Sequence, residues 1–183
     1  MLKYALLGGL NYLPMSGYDL KQFTDRSTSN FWHAELSQIY VTLKALEKEG
    51  LITSTEVLQQ GRPDRRVYNI TPAGRQALDE WLKQPFTEID LYKDTLLLKL
   101  FFSGSQEKES ILAQLHLQRG LHQKLVDQYQ TETANIIARS VEHAPHLRKD
   151  ALMWEATRRF GEIAEEAYLR WLDETIRMVQ ENF

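Results

Sequence analysis

Two groups of side chains in the first half of the sequence are of the types that contact nucleic acid. The first group is small, polar or basic and lies at helical spacing: Ser37, Gln38, Val41 and Lys44. Such side chains can hydrogen-bond to base edges, contact thymine methyl groups and hold phosphates. The second group lies in a turn-forming stretch and comprises Gln60, Arg62, Arg65 and Arg66. Guanidinium groups in such a loop can bind phosphate oxygens or enter a minor groove.

Three further side chains near the first group are candidates for phosphate contacts. The hydroxyl groups of Tyr18 and Tyr40 can each hold a backbone phosphate at the edge of a groove. The alternative is that both rings complete a small hydrophobic core and their hydroxyls are exposed only incidentally. His33 is also predicted to face the nucleic acid, and its alternative is likewise incidental exposure.

Aromatic and basic residues further along the chain can form a pocket for an aromatic anion. The predicted members of this effector site are Trp32, His122, Trp154, Arg158 and Tyr168. The competing interpretation is core packing, because aromatic residues at helical spacing commonly face a neighbouring helix. No cofactor and no metal site is predicted, since the histidines lack neighbouring ligands at a suitable spacing. The sequence also lacks a nucleophile with a partner base, so no catalytic site is predicted and the protein is expected not to be an enzyme.

The charge distribution indicates two modules. The chain has 183 residues and a net charge of −3, but residues 1–84 carry +1 and residues 85–183 carry −4. Only the first module can readily approach a polyanion. The chain has no cysteine, which fits a reducing compartment, and no apolar run of the roughly 20 residues that span a membrane. A cytoplasmic protein without a membrane segment is expected.

Residues 1–84 are predicted to form three short helices, a two-stranded hairpin and a fourth helix. The third helix, over about 34–49, has the clearest pattern, with Leu36, Ile39, Leu43 and Leu46 in one buried stripe. Strands are predicted over 51–58 and 66–70, and Thr71-Pro72 begins the fourth helix. This order of elements is that of a winged helix-turn-helix.

Residues 85–183 are predicted to be almost entirely helical. We expect a helix over 90–103, a long helix over 106–142 and a last helix over 147–182, broken at Pro145. Helices about 50 Å long need a partner to cover their apolar stripes, and a second copy of the chain is the simplest one. The last helix is predicted to dimerise through one side carrying Phe160, Ala164, Ala167, Trp171, Ile176 and Val179.

Three segments of the first module resemble the PadR family of bacterial transcription regulators. They are residues 6–20, the stretch Ile39-Tyr40-x-x-Leu43-x-x-Leu46-x-x-Glu49-Gly50-Leu51-Ile52, and Gly61-Arg62-Pro63-Asp64-Arg65-Arg66-Val67-Tyr68-Asn69-Ile70-Thr71-Pro72. The helical tail resembles the subgroup that includes phenolic-acid-responsive repressors and a virulence-gene activator. The chain differs from much of the family at Ser37–Val41, where Gly-Ser-Ile-Tyr-Pro is common, so the operator sequence does not carry over.

The resemblance implies a homodimer that reads a palindromic operator in double-stranded DNA. The fold predicted is mainly α with a small β-hairpin: a winged helix-turn-helix over 1–84, then an all-α dimerisation domain of long helices over 85–183. The predicted function is a transcriptional regulator, a repressor in preference to an activator, that a small phenolic or drug-like effector can release from DNA. The alternatives are a winged-helix scaffold that binds a protein instead of DNA, and a stand-alone small-molecule sensor or enzyme.

Overall fold

The computed structural model describes residues 1–28, 31–57, 65–90 and 93–183, and it divides into two compact units. The N-terminal unit spans residues 1–90 and the C-terminal unit spans residues 91–183. Each unit has its own hydrophobic core.

The N-terminal unit contains four helices and three strands in its described residues. In chain order they are α1 (Leu2–Tyr12), β1 (Met15–Ser16), α2 (Gly17–Ser27), α3 (Leu36–Lys48), β2 (Ile52–Val57), β3 (Arg65–Ile70) and α4 (Pro72–Lys83). The four predicted helices and the predicted hairpin are confirmed, with boundaries shifted by one or two residues in α3 and the strands.

Polar side chains at the helix ends explain why these helices begin and end where they do. Before α2, the Ser16 hydroxyl accepts from the Asp19 amide (3.2 Å) and the Asp19 carboxylate accepts from the Ser16 amide (2.8 Å). Before α4, the Thr71 hydroxyl accepts from the Gly74 amide at 3.0 Å. After α3, Gly50 has a φ of +72°, a left-handed conformation that glycine adopts without strain.

The sheet has one strand more than the predicted hairpin. Its order is β1-β3-β2, and both pairs are antiparallel. Met15 pairs with Tyr68 and Ser16 with Val67, immediately before α2 begins. A two-residue strand is too short to show the alternation that identifies strands in a sequence, so the prediction missed it.

The core of the N-terminal unit lies between the helices and the hairpin. Ile39 and Leu43 of α3 are fully buried, together with Leu6 and Leu7 of α1 and Leu20 of α2. Three members of the predicted stripe on α3, including Leu46, therefore face this core, whereas Leu36 in the first turn is only partly buried. The opposite side of the helix is turned outward.

The C-terminal unit is entirely helical in its described part. It contains α5 (Thr95–Phe101), α6 (Lys108–Gln128), α7 (Ala134–His143) and α8 (Arg148–Asn182). Short 3-10 turns lie at Ser103–Ser105 and Pro145–Leu147, and a π-helical turn lies at Tyr129–Thr133 between α6 and α7.

Two of the predicted helices in this unit differ from the structure. The first begins at Thr95 instead of Asp90, because the Asp94 carboxylate accepts from the Leu97 amide (3.0 Å) and caps the helix there. The second is not one regular α-helix, since the π-helical turn interrupts it at Tyr129. The guanidinium of Arg158 donates to the carbonyl oxygen of Tyr129 (2.9 Å), and an inserted side chain of this kind is a common cause of such an interruption.

The longest helix, α8, packs along α6 of the same chain. Leu115 of α6 and Leu172 of α8 are fully buried in the core between them. The ring of Tyr129 can approach the backbone of α8 closely at Gly161, because an added Cβ there would lie 2.7 Å from the ring. Within the described residues, no helix is both long and apolar enough to cross a membrane.

Candidate DNA-binding surface

The outer side of α3 has the character that the sequence predicted. Ser37, Gln38, Val41 and Lys44 are all exposed, and Val41 keeps 71% of its surface in solvent. The opposite side of the same helix is anchored by Ile39, Leu43 and Leu46, which are 0–1% exposed. A rigid core therefore presents a small, polar and basic surface outward, which suits the major groove of a duplex.

Tyr40 is held against the beginning of α2. An added Cβ on Gly17 would lie 2.6 Å from Cε1 and 2.9 Å from Cζ of the Tyr40 ring, so the ring rests on the Gly17 backbone. Both Tyr40 and the neighbouring Tyr18 are about half exposed. The two candidate tyrosines are therefore not fully buried core residues, and only glycine at position 17 permits this packing.

The loop before α3 contains two further predicted residues, Trp32 and His33. His33 is exposed, and its Nε2 lies 3.1 Å from Oε1 of Glu35. The indole nitrogen of Trp32 is buried without a hydrogen-bond partner among the residues that the structure describes. The effector role of Trp32 stays a prediction.

Two of the predicted wing arginines, Arg65 and Arg66, are engaged with acids of the helix-turn-helix. Arg65 forms an ion pair with Asp19 of α2. Arg66 donates from Nη2 to Oε2 of Glu47 on α3 at 2.7 Å, and from Nε to the Ser54 hydroxyl at 2.8 Å. Gln60 and Arg62, the other two predicted wing contacts, lie outside the described residues.

Both acids are held in their ionised form. For Glu47, the hydrogen bond from the Ser54 hydroxyl outweighs the opposing effect of burial and, with Arg66, lowers the carboxyl pKa. For Asp19, burial would raise the carboxyl pKa, but hydrogen bonds from Ser16 and Arg65 prevail and lower it. Each arginine therefore has a permanently charged partner near neutral pH.

Two of the predicted effector residues come together in the C-terminal unit. The rings of His122 and Tyr168 stack with centroids 4.0 Å apart, and the Tyr168 hydroxyl donates to the Asp94 carboxylate at 2.5 Å. They line an open cavity of about 380 Å³ whose lining also includes Lys93, Asp94 and Lys99. His122 is additionally paired with Glu165 of α8.

Trp154 and Arg158 do not line this cavity. The buried guanidinium of Arg158 donates twice to Glu155 (2.7 Å each) and once to Glu162 (2.9 Å), besides its bond to the Tyr129 carbonyl. These contacts raise the pKa of Arg158. Its hydrogen bonds satisfy a buried charge within the chain, which is a structural role.

The six predicted dimerisation residues do not share one side of α8. Phe160, Ala164 and Ala167 are exposed, whereas Ile176 and Val179 are buried in the core against α6. Trp171 is partly buried beside that core. The prediction that all six face one way is wrong, because 100° per residue turns Ile176 about 160° away from Phe160.

The exposed side of α8 nevertheless carries large apolar residues, interspersed with charged ones such as Arg170 and Glu174. Leu152, Phe160, Ile163 and Met178 keep 51–67% of their surface in solvent. On a helical projection, they lie within about 80° of one another and opposite the buried side. The other exposed apolar residues of this unit include Leu97, Leu98, Phe101 and Phe102 on and just after α5.

The helices, the three-stranded sheet and the outward-facing α3 define a winged helix-turn-helix module followed by a helical unit. Models of two families match the chain, the transcriptional regulator PadR-like family over residues 6–80 and the virulence activator alpha C-terminal domain over residues 92–180. A probable transcriptional regulator of Mycobacterium tuberculosis is 32% identical, covering 98% of each chain. The negative transcriptional regulator PadR of Bacillus subtilis is 30% identical, covering 100% of this chain and 99% of that one.

Solved structures agree with these sequence matches. Bacillus subtilis PadR in complex with operator DNA superimposes with a TM-score of 0.81 at 28% identity, covering 97% of each chain. The same relative in complex with p-coumaric acid gives a TM-score of 0.73 at 25% identity, covering 98% of each chain. The chain belongs to the PadR-like family of transcriptional regulators. The predicted family and fold class are confirmed, and this family consists of regulators and not of enzymes.

Sequence reasoning missed the acids that hold the wing. Asp19, Glu47 and Ser54 were not among the candidate residues, yet each contacts a wing arginine or its partner. The distances along the chain are 46 residues for Arg65 and Asp19 and 19 for Arg66 and Glu47. No periodic pattern connects positions so far apart, so the fold was needed to pair them.

Proposed function

We propose that this protein binds operator DNA as a homodimer, with α3 of each subunit in a major groove. The observation that carries the proposal is the outer side of α3, where the residues that can read bases are exposed above a fully buried stripe. The Bacillus subtilis relative, similar over nearly the whole chain, has been solved in complex with operator DNA, which supports the same role here.

Each predicted residue except Arg66 has a proposed contact with DNA. Ser37, Gln38 and Val41 read base edges, and Lys44 holds a phosphate or a base. Tyr18, Tyr40 and His33 hold backbone phosphates at the groove edge. Arg65 joins them by exchanging its Asp19 contact for a phosphate, and Gln60 and Arg62 belong to the same proposed wing contact.

The exposed apolar residues of α8 support the proposal of a homodimer. A long helix that is buried on one side and still exposes several large apolar side chains on the other favours association with a second copy through the exposed side. A two-fold dimer presents two α3 helices, so the proposed operator is an inverted repeat with half-sites about 34–36 Å apart or a multiple of that distance.

The proposed sense of regulation is repression, because the Bacillus subtilis relative is a negative transcriptional regulator. Release by a phenolic acid is proposed as well, since that relative binds p-coumaric acid. In this chain the cavity beside His122 and Tyr168 has a stacked aromatic wall, and among the described residues its lining includes two lysines against the single acid Asp94, which suits an aromatic carboxylate. A regulator of chromosomal DNA acts in the cytoplasm, the location proposed here.

A titration of fluorescently labelled DNA tests the proposal. The duplex is the region upstream of the protein's own gene, compared with a scrambled duplex of equal composition. Wild-type protein is expected to prefer its own upstream region, and Gln38→Ala is expected to lose about 1–3 kcal/mol of that preference. Gln76→Ala changes the same residue type on the exposed side of α4 and is the matched control.

Two outcomes would contradict the proposal. Equal affinity of the wild type for both duplexes would favour the protein-binding scaffold. Equal losses by Gln38→Ala on both duplexes would remove Gln38 from base reading.

A thermal-shift measurement tests the proposed effector. We expect p-coumarate to raise the thermal midpoint of the wild type and not that of Tyr168→Ala. An equal shift in both proteins would exclude the cavity as the effector site.

A further inference from the structure

Three side chains from three elements meet where the wing joins the recognition helix. Glu47 lies in the last turn of α3, Ser54 is on β2 and Arg66 is on β3. The Ser54 hydroxyl donates to Oε1 of Glu47 (2.5 Å) and accepts from Nε of Arg66 (2.8 Å), while Nη2 of Arg66 donates to Oε2 of Glu47 (2.7 Å). Each of the three groups contacts the other two, and we call this closed triangle the wing clasp.

The register of the sheet explains why these residues meet. Ser54 pairs with Tyr68, and Arg66 lies two positions before Tyr68, so all three side chains project from the same face of the sheet. Tyr68 and its neighbour Ile70 on this face are buried in the core. The Arg66 guanidinium lies 5.7 Å from the centroid of the Tyr68 ring. Arg66 is therefore directed toward α3 and along the core face of the sheet.

The wing clasp gives Arg66 two hydrogen-bond partners, Ser54 and Glu47, in addition to a balanced charge, whereas Arg65 has its ion pair with Asp19. Glu47 carries a full negative charge because its carboxyl pKa is lowered, chiefly by the Ser54 hydrogen bond. The pair of Arg66 and Glu47 is consequently neutral, and a neutral pair releases no counterion when it meets DNA. Two hydrogen bonds, donated by Nε and Nη2 of Arg66, also fix the orientation of the guanidinium group.

We propose that Arg66 is a positioning residue, which fixes the angle between the wing and the recognition helix through Glu47 and Ser54 and does not bind phosphate. This inference rests on the proposed function, since it assigns a role within DNA binding. It revises the prediction for Arg66 alone and leaves Arg65, which pairs with α2, among the proposed contacts. The wing and α3 then reach the duplex as one rigid body, which lowers the entropy lost on binding.

The two possible roles of Arg66 predict opposite effects of Glu47→Gln. If Arg66 positions the wing, this variant loosens the clasp and weakens operator binding by about three- to fivefold, as for a partly exposed ion pair. If Arg66 instead binds phosphate and Glu47 restrains it, the variant frees a cation. Affinity then rises, and the dependence of log K on log salt concentration becomes steeper by about 0.9 for each freed arginine.

Ser54→Ala gives a second test that changes no charge. Removal of the bridging hydroxyl weakens the clasp and lowers operator affinity, whereas a phosphate-binding Arg66 would be indifferent to it. Thr53→Ala is the matched control, because Thr53 is the preceding, exposed residue of the same strand and projects from the other face. We expect it to leave affinity unchanged. Circular dichroism and the thermal midpoint establish that each variant is folded at the assay temperature.

The experiment is a fluorescence-anisotropy titration of the full-length protein on its own upstream DNA at four salt concentrations. Expected results are weaker binding by Glu47→Gln, Ser54→Ala and Arg66→Gln, all with the salt slope of the wild type. Tighter binding and a steeper slope for Glu47→Gln, or a shallower slope for Arg66→Gln, would overturn the positioning role. Absence of any preference by the wild type would instead refute the proposed function, so the two failures are distinguishable.

Discussion

The contact between Gly17 and Tyr40 predicts that the effect of Gly17→Ala on stability depends on the residue at position 40. Gly17→Ala adds a Cβ 2.6 Å from Cε1 of the Tyr40 ring, where ordinary contacts begin at 3.4 Å. The ring must therefore move by about 0.8 Å or rotate away from α2. Gly17 has no positive φ, so the added methyl strains no backbone angle and the whole effect comes from the ring.

The expected magnitude follows from two opposing contributions. Overpacking of this kind costs about 1–3 kcal/mol, while alanine in place of glycine in a helix gains up to about 1 kcal/mol. The net result is a loss of about 1–2 kcal/mol in the free energy of unfolding for the wild-type background. In a Tyr40→Ala background the overlap is gone, and the same substitution becomes neutral or stabilising.

The assay is a double-mutant cycle measured by urea denaturation, with anisotropy on the upstream duplex beside it. A coupling energy of about 1–3 kcal/mol is expected between the two positions. In a Tyr40→Phe background, which keeps the ring and removes only the hydroxyl, Gly17→Ala is expected to cost as much as in the wild type. DNA affinity is expected to fall with Gly17→Ala, since the displaced ring carries its hydroxyl away from the proposed phosphate. Equal effects in all backgrounds would refute the contact.

Three other perturbations test the packing of each unit and the dimer. Gly74→Ala places a Cβ 2.1 Å from the Leu51 carbonyl oxygen. Because backbone cannot move aside as a side chain does, we expect the free energy of unfolding, measured by urea denaturation, to fall by at least about 3 kcal/mol. A variant as stable as the wild type would contradict this packing. Phe160→Asp puts a charge on the exposed apolar side of α8 and is expected to give monomers by light scattering, whereas an intact dimer would place the interface elsewhere. The pKa of Glu162 is lowered from 4.5 by hydrogen bonds from Gln130 and the neighbouring arginines, against burial. Its ionised form thus favours folding, a contribution present above about pH 4.5 and lost as the pH falls through the lowered pKa. Glu162→Gln should flatten the acid-unfolding profile below about pH 4.5, and an unchanged profile would contradict this role.

The helical pattern of the N-terminal unit could be predicted because local rules decide it. Helix α3 has apolar residues three and four apart, a glycine at its end and a buried stripe that the structure confirms. Strand β1 could not be predicted, since its two residues acquire strand character only by pairing with β3.

The C-terminal unit was harder to predict because apolar residues lie on both sides of its helices. On α8, one apolar stripe packs against α6 and the opposite stripe is exposed, so the sequence alone does not show which stripe remains inside the chain. The π-helical turn depends on Arg158, which lies 29 residues from Tyr129. Tertiary contacts at that separation leave no periodic signal.

Part of the candidate DNA-binding surface could likewise be predicted from the sequence, and part of it could not. The exposed residues of α3 follow from the helical period once the buried stripe is known. The partners of Arg65 and Arg66 do not, because a basic loop has the same composition whether its arginines bind phosphates or neighbouring acids. The wing clasp therefore became visible only when the sheet register brought Ser54 and Arg66 to one face beside α3.

Selection of duplexes from a random DNA library by the purified protein tests the central claim most directly. The account predicts enrichment of an inverted repeat whose half-site centres lie about 10 base pairs apart or a multiple of that spacing, bound by a dimer. Enrichment of single, unpaired half-sites would contradict the dimeric arrangement. No enrichment of any sequence would contradict the claim that α3 reads DNA.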